Sequence, residues 1–455
     1  MKEIRFVCGS GGLGGGKVVA KALDEAMAMK PHFIACDAGT TDSGPFSLGS
    51  GRSNYPREAV KRDLEIILSA ARRAGIPVLI GSSGTAGIDA QVDWVVDIAN
   101  EIATEHQFKV KTAAIHSEQS PEYLKGLLRD SRIKPLDPAP PLDEALLDRT
   151  SHVVGMMGVE PLQRALAQGA DLVVAGRCSD SALFAAMPIM KGFPEGLAWH
   201  AGKVMECGTQ VCESAGRGVI YAKLTQEDLV IRPYGEGLRC TPQSVAAHSF
   251  YENGDPYLHV ESSGTLDLTN STYEAVDEFS VRITNSGFRH SDTYTVKLEG
   301  AEKVGYQSVV IGGIRDPYFI RNYNTWIEDV RNKITTSVGE ILKLAPKDYR
   351  LDFHAYGRNA VMGKLETVET TPHEIGLVLN VTASTQAIAT KIAEISRQPL
   401  LHTPIPEWSG SITSIAFLHN PVPLDRGAVY RFCLNHVAVP RTQEEMFRTR
   451  VLEIG

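Results

Sequence analysis

Six short apolar runs, each followed by a stretch of helical periodicity, occupy the chain from its start to about residue 215. The runs are EIRFVCG (3–9), HFIACD (32–37), IPVLIGS (76–82), KVKTAAIHS (109–117), HVVGMMG (152–158) and ADLVVAG (170–176). None alternates cleanly between apolar and polar residues, which is how strands buried on both faces read. The stretches that follow them, 16–30, 56–75, 89–107, 121–131, 159–169 and 179–192, carry apolar residues at helical spacing. Such alternation predicts an α/β fold with a doubly wound, mostly parallel sheet and helices on its faces. Residues 196–216 read as a helix closing this half.

From residue 217 the texture changes to short alternating segments, among them GVIYAKL (218–224), YLHVES (257–262), FSVRITNSG (279–287), DTYTVKLEG (292–300) and YQSVVIGG (306–313). ENGDP (252–256) and TNSG (284–287) are hairpin-like turns between them. Helices return at 323–345 and 382–399, the latter behind a strand at 373–381. The expected organisation is an α/β domain over 1–216 and an α+β domain over 217–455. The proline-rich stretch 134–147 reads as a surface connection inside the first.

Composition narrows the partners. The formal net charge is -8, and Lys and Arg are interspersed with acids rather than gathered in a stripe, which argues against nucleic acid. No 18-residue apolar stretch spans a bilayer, and the first residues lack the apolar core of a signal peptide, so a cytoplasmic protein is expected. The seven cysteines are odd in number and never spaced C-x-x-C, which favours reduced thiols over a disulfide scaffold or zinc knuckle. Cys8, Cys36 and Cys433 lie in apolar runs and read as small core residues.

In an open parallel sheet, ligands bind beyond the carboxyl ends of the strands. Five predicted strand ends carry loops rich in Gly, Ser, Thr and acids: 9–16, 37–45, 81–89, 116–122 and 176–182. Gly9, Gly11 and Gly14 fit G-x-G-x-x-G, and Asp37 follows Gly14 by 23 residues, the spacing of a dinucleotide fingerprint. A plainer reading makes Gly11, Gly12 and Gly14 an anion cradle at a helix N-terminus. Thr40, Thr41, Ser82, Ser83, Thr85 and Ser179 supply further polar groups, and Ser82 and Ser83 read equally well as helix caps.

Arg177 ends a very apolar strand, where its guanidinium can clamp a carboxylate or phosphate, or pair with Asp180. Asp37, Asp42, Asp180 and Glu206 are the candidate catalytic acids, with Asp180 alternatively a helix cap. Asp37 suits chemistry or a ribose contact. Asp42 suits a supporting or metal role, so that a divalent ion held by Asp37 or Asp42 is one option. His200, Lys203, Glu206 and Cys207 can share a helix face, as a proton relay or as an ordinary polar stripe. A thiol nucleophile at Cys178 and an iron-sulfur cluster on Cys36, Cys178 and Cys207 are weaker options.

ADLVVAGRCSDSALFAAMPIMKGF (170–193) followed by LAWHAGKVMECGTQV (197–211) resembles the central signature of the AtuA family, named for acyclic terpene utilisation. CGSGGLGGG (8–16), HVESSGTLDLTNSTYEAVDEFSVRITNSG (259–287) and DTYTVKLEG are similar to its other blocks. The resemblance implies a place in the degradation of branched acyclic terpenoids and related acids through CoA thioesters, and it assigns no catalytic residues. Longer members continue into a small ferredoxin-like domain, so a separate small subunit of that kind is an expected partner, alongside homo-oligomerisation. The combined expectation is a lyase or hydratase acting on a small carboxylic acid or acyl-CoA. A nucleotide-dependent oxidoreductase and a non-catalytic subunit of a catabolic complex are the alternatives.

Overall fold

The computed structural model describes residues 1–407 and 413–455. The chain divides into two compact units, one comprising Met1–Glu302 with Phe432–Gly455 and the other Lys303–Arg431.

The first unit is built on a sheet with ten strands among the described residues. Its centre holds five parallel strands in the order Ile4–Ser10, Phe33–Gly39, Val78–Thr85, Leu172–Ala175, Val110–His116. Their apolar runs are uninterrupted because both faces are covered. Phe6, Phe33, Leu79, Val173 and Ile115 pack on one side with helices Pro121–Arg129, Val159–Ala167, Ala182–Met190 and Glu195–Met205. Val7, Ile34, Ile80, Val174 and Ala114 pack on the other with helices Ala20–Met27, Arg57–Ala74 and Asp89–Glu105.

The sheet as a whole is mixed: its strands from the N-terminal half are parallel, as expected, and strands from beyond residue 217 extend it antiparallel. Val219–Leu224 joins the first strand antiparallel, followed outward by Leu229–Tyr234, Val281–Thr284 and Thr272–Ala275, and Arg448–Ile454 closes the far edge antiparallel to Val110–His116. The change of sequence texture near residue 217 therefore marks the switch from parallel to antiparallel pairing within one sheet. One difference concerns HVVGMMG. Its strand, Thr150–Gly155, leaves the central sheet and pairs antiparallel with residues 298–302, because burial of an apolar run does not specify which strand it meets. Secondly, the segment 196–216 is helical only over Glu195–Met205, followed by a short 3-10 turn at Gly208–Val211.

The second unit has strands Tyr349–Tyr356 and Ile375–Ala383 and residues 306–314 in an antiparallel sheet, with Ala416–Phe417 on its edge. Helices Tyr323–Leu342 and Gln386–His402 contribute Trp326, Val330 and Ile392 to a core with Leu377, Leu379 and Val381. Among the described residues no helix is long and apolar enough to cross a membrane.

The glycine-rich segment after the first strand is held from below by Asp63, a fully buried acid on helix Arg57–Ala74. Its Oδ2 accepts the amides of Gly14 and Gly16 at 3.1 and 3.2 Å. Asp63→Ala leaves two amides without an acceptor and is expected to lower the unfolding free energy by about 2–3 kcal/mol. Denaturant titration measures this, and an unchanged midpoint contradicts it.

Candidate functional site

The five polar loops do lie at the carboxyl ends of the five parallel strands, so the chain's richest polar segments converge on one rim. Two glycines let the backbones close in. A Cβ on Gly11 would stand 2.2 Å from the carbonyl carbon of Cys207, and one on Gly87, at φ +69°, 2.2 Å from the amide of Arg177. The carbonyl of Gly87 in turn accepts from the Arg177 amide (3.2 Å) and from Ser117 Oγ (3.1 Å), and Ser117 Oγ also accepts from the Arg177 amide (2.7 Å).

Arg177 so fixed is the hub of the rim. Its Nε donates to Glu299 Oε2 at 2.9 Å and its Nη1 to Ser82 Oγ at 3.0 Å, with Asp180 Oδ1 3.5 Å from Nη1. Both partners of the Arg177–Glu299 pair are buried. Burial opposes the charge of Arg177, but Glu299 and Asp180 outweigh it and hold the guanidinium protonated. Burial likewise pushes Glu299 up, yet Arg177 and Lys297, whose Nζ is 3.2 Å from Oε1, bring its carboxyl below the usual range.

Around this pair lie two neighbouring cavities that share Arg177, Asp180, Glu206 and Glu252 in their walls. The first, about 340 Å³, is lined by Gly11, Gly12, Asp37, Thr40, Thr41, Asp42, Tyr251 and others. The second, about 260 Å³, is lined by Ser179, Lys203, His259 and Glu261 among others. A wider hollow of about 560 Å³ in the second unit is walled by Ile320, which is buried, and otherwise by exposed and half-exposed residues, and has no fully buried charged group.

Burial raises the carboxyls that line the cavities, to different degrees. Asp37 is 4% exposed, and burial drives its carboxyl well above the ordinary range; Asp180 and Glu206 add to the rise while the Gly39 amide and Arg177 oppose it. Burial also raises Asp180 against the pull of Arg177, and its Oδ1 is buried without a hydrogen bond. Glu206 bonds Lys203 Nζ at 2.7 Å and Ser181 Oγ at 3.2 Å, and burial still pushes it up to about 7. Burial, with Glu206 and Asp180 nearby, pushes Glu261 up to about 8.

Of the residues singled out from the sequence, Asp37, Asp42, Thr40, Thr41, Gly11, Gly12, Arg177, Ser179, Asp180 and Glu206 line these cavities. Ser82 lies just behind, bonded to Arg177. Ser83 is buried with its hydroxyl unpartnered, and Thr85 is turned to the segment 53–54, accepting from the Asn54 amide at 3.1 Å. Gly14 is tied to Asp63. The amides of residues 12 to 16 are all bonded to the protein, to Ser10 Oγ, Asp37 O, Asp63 Oδ2 and Gly12 O, and helix Ala20–Met27 starts only after a further loop. The amides of Gly12 and Gly14, two of the donors an anion cradle would use, are thus engaged within the protein.

Four other readings are corrected. His200 is fully buried with its ring nitrogens on Ser286 (2.7 Å) and Ser249 (2.9 Å), and burial lowers it to about 3, so it serves the core and not a proton relay. Helix Glu195–Met205 has no solvated stripe, since residues 196–205 are all buried. The Cys178 thiol is fully buried and its pKa raised by that burial, which removes a nucleophile. Cys36, Cys178 and Cys207 do not gather as metal donors among the described residues. Cys8 and Cys36 are buried, as their apolar runs imply, whereas Cys433 is only partly so.

Glu299, Glu261, Glu252, Tyr251 and His248 were not anticipated. Glu261 and Glu299 sit inside HVESSG and DTYTVKLEG, two blocks that carry the family resemblance, and that coincidence was the available signal.

Fold and cavity together define an α/β protein with an acid-rich, arginine-centred pocket on the rim of a mixed sheet. The chain belongs to the acyclic terpene utilisation family AtuA, whose description as "Acyclic terpene utilisation family protein AtuA" matches residues 47–405. Searches of curated proteins and of solved structures each returned no match.

Replacing Glu299 by Gln removes the nearest counter-charge of the buried guanidinium, and Glu299→Gln is expected to cost roughly 3–5 kcal/mol at pH 7. Because Glu299 titrates below its ordinary value in the folded state, its contribution is complete above that value and is lost as pH falls through the lowered one. The stability gap between native protein and variant therefore narrows in acid. Equal stability at pH 7 contradicts the assignment.

Proposed function

We propose that this chain is an enzyme of small carboxylic acid or acyl-CoA catabolism, a lyase of the hydro-lyase type that adds or removes water beside a carbonyl. The observation that carries this reading is the placement of one buried, charge-paired arginine against two acids on a shared cavity wall, Asp37, whose burial favours the proton, and Asp180, which faces the guanidinium. A fixed cation orients a carboxylate or thioester carbonyl. A protonated carboxyl and an ionised one in the same cavity supply the general acid and general base.

In hydration the base takes a proton from water as its oxygen bonds to the carbon distal to the carbonyl, and the acid delivers a proton to the carbon next to the carbonyl. Dehydration reverses both transfers. Asp37, the more deeply buried, is assigned the protonated acid and Asp180, 3.5 Å from the Arg177 guanidinium, the ionised base, with Thr40, Thr41 and Asp42 also lining the cavity. Cavities of about 340 and 260 Å³ suit a short acyl group and leave a CoA moiety outside. The reading includes a cytoplasmic setting, homo-oligomerisation and association with a small ferredoxin-like subunit.

The test is a panel of branched 2,3-unsaturated acids and their CoA thioesters, followed by loss of enoyl absorbance. On a substrate that turns over, Asp37→Asn and Arg177→Ala are each expected to lower kcat/KM by at least about a hundredfold. Asp37→Asn is also expected to raise the thermal midpoint at neutral pH. With a folded-state pKa above the ordinary value, Asp37 costs stability as pH rises toward that raised value, and Asn does not. Full turnover in both variants overturns the proposal.

A further inference from the structure

Where helix Glu195–Met205 ends, Glu206 and Cys207 face helix Pro242–Phe250, whose last turn carries His248. A carboxylate oxygen of Glu206, Cys207 Sγ and a ring nitrogen of His248 all lie within 4.8 Å of one another. The orphan in this group is His248. Its side chain is buried, the residue being 7% exposed, and Nε2 has no hydrogen-bond partner. A buried imidazole nitrogen left bare forfeits about 1–3 kcal/mol, so its position demands an occupant.

We propose that Glu206, Cys207 and His248 bind one divalent metal ion of the zinc class, with a coordination position open to the first cavity. The donor set, one thiolate, one imidazole and one carboxylate, selects a borderline-soft ion over Mg²⁺ or Ca²⁺, which prefer oxygen. Tetrahedral zinc, with bonds of about 2.0–2.3 Å, holds its donors roughly 3.5 Å apart, so donor pairs at most 4.8 Å apart close by up to about 1.3 Å on loading. Glu206 keeps free lone pairs despite its bonds to Lys203 and Ser181.

Acids outnumber bases in the cavity walls beside the three donors. The walls of the two cavities carry Asp37, Asp42, Asp180, Glu206, Glu252 and Glu261 against Lys17, Arg177 and Lys203. Tyr251 supports two of the donors at once: its hydroxyl is 2.9 Å from Cys207 Sγ, and its ring packs on His248 with centroids 4.7 Å apart. Three protein donors and an open fourth position are the arrangement of catalytic rather than structural zinc. Glu206 and Cys207 both line the cavity, so that fourth position faces the ligand space.

The experiment uses the full chain, stripped with chelator and titrated with Co²⁺ and Zn²⁺. One equivalent of Co²⁺ is expected to bind and to give a sulfur-to-cobalt charge-transfer band in the near ultraviolet, which Zn²⁺ removes. Cys207→Ser abolishes the band and Cys433→Ser leaves it. His248→Ala, and separately His248→Gln to guard against misfolding, weakens Co²⁺ binding by more than about a hundredfold, beyond the loss caused by an outer-shell change. No stoichiometric binding by the native chain, or a band indifferent to Cys207→Ser, overturns the proposal. Because the readout is metal and not turnover, the result stands apart from the hydro-lyase reading.

Discussion

The buried pair of Arg177 and Glu299 is the constraint on which the site depends. Taking two charges out of water costs several kcal/mol per ion, and only tight geometry with further hydrogen bonds repays it. That geometry comes from several separate pieces of chain. Arg177 lies two residues beyond the parallel strand Leu172–Ala175, Glu299 sits in an antiparallel strand, Ser82 is inside the parallel strand Val78–Thr85, and Gly87 and Ser117 follow two of the parallel strands. The pair thus draws three strand ends and a distant strand to one point, and the acids of the rim are placed around it as a consequence.

Around that fixed cation, burial sets the chemistry. Glu299, doubly paired with Arg177 and Lys297, stays ionised. Asp37 and Glu261, with less compensation, favour the proton. The same loops thereby hold carboxyl groups of both kinds within one small space, which is what acid-base chemistry next to a carbonyl requires. Such a site is costly to the fold, since acids that resist ionisation are strained at neutral pH, and the uninterrupted apolar strands beneath it carry that cost.

Much of the rim was legible in the sequence because it depends on local pattern. Uninterrupted apolar runs mark strands covered on both faces, and the rule that ligands gather at their carboxyl ends brought Asp37, Arg177 and Asp180 together before any coordinates. What periodicity cannot reveal is pairing at long range. The run at 152–158 looks like its neighbours yet pairs with 298–302, and Glu299 enters the site only through that pairing. His200 reads as part of a polar stripe because its serine partners come from segments 49 and 86 residues away. The glycine loop reads as an anion cradle because Asp63, which takes two of its amides, looks like one more solvent-facing acid on a helix.

A double-mutant cycle on Arg177→Met and Glu299→Met, followed by denaturant unfolding at pH 7, addresses the central claim most directly. If the two charges are held in the core by one another, each single variant loses stability while the double variant regains part of it, with a coupling of at least about 2 kcal/mol. Losses that add to within about 0.5 kcal/mol would show two independent residues and contradict the account.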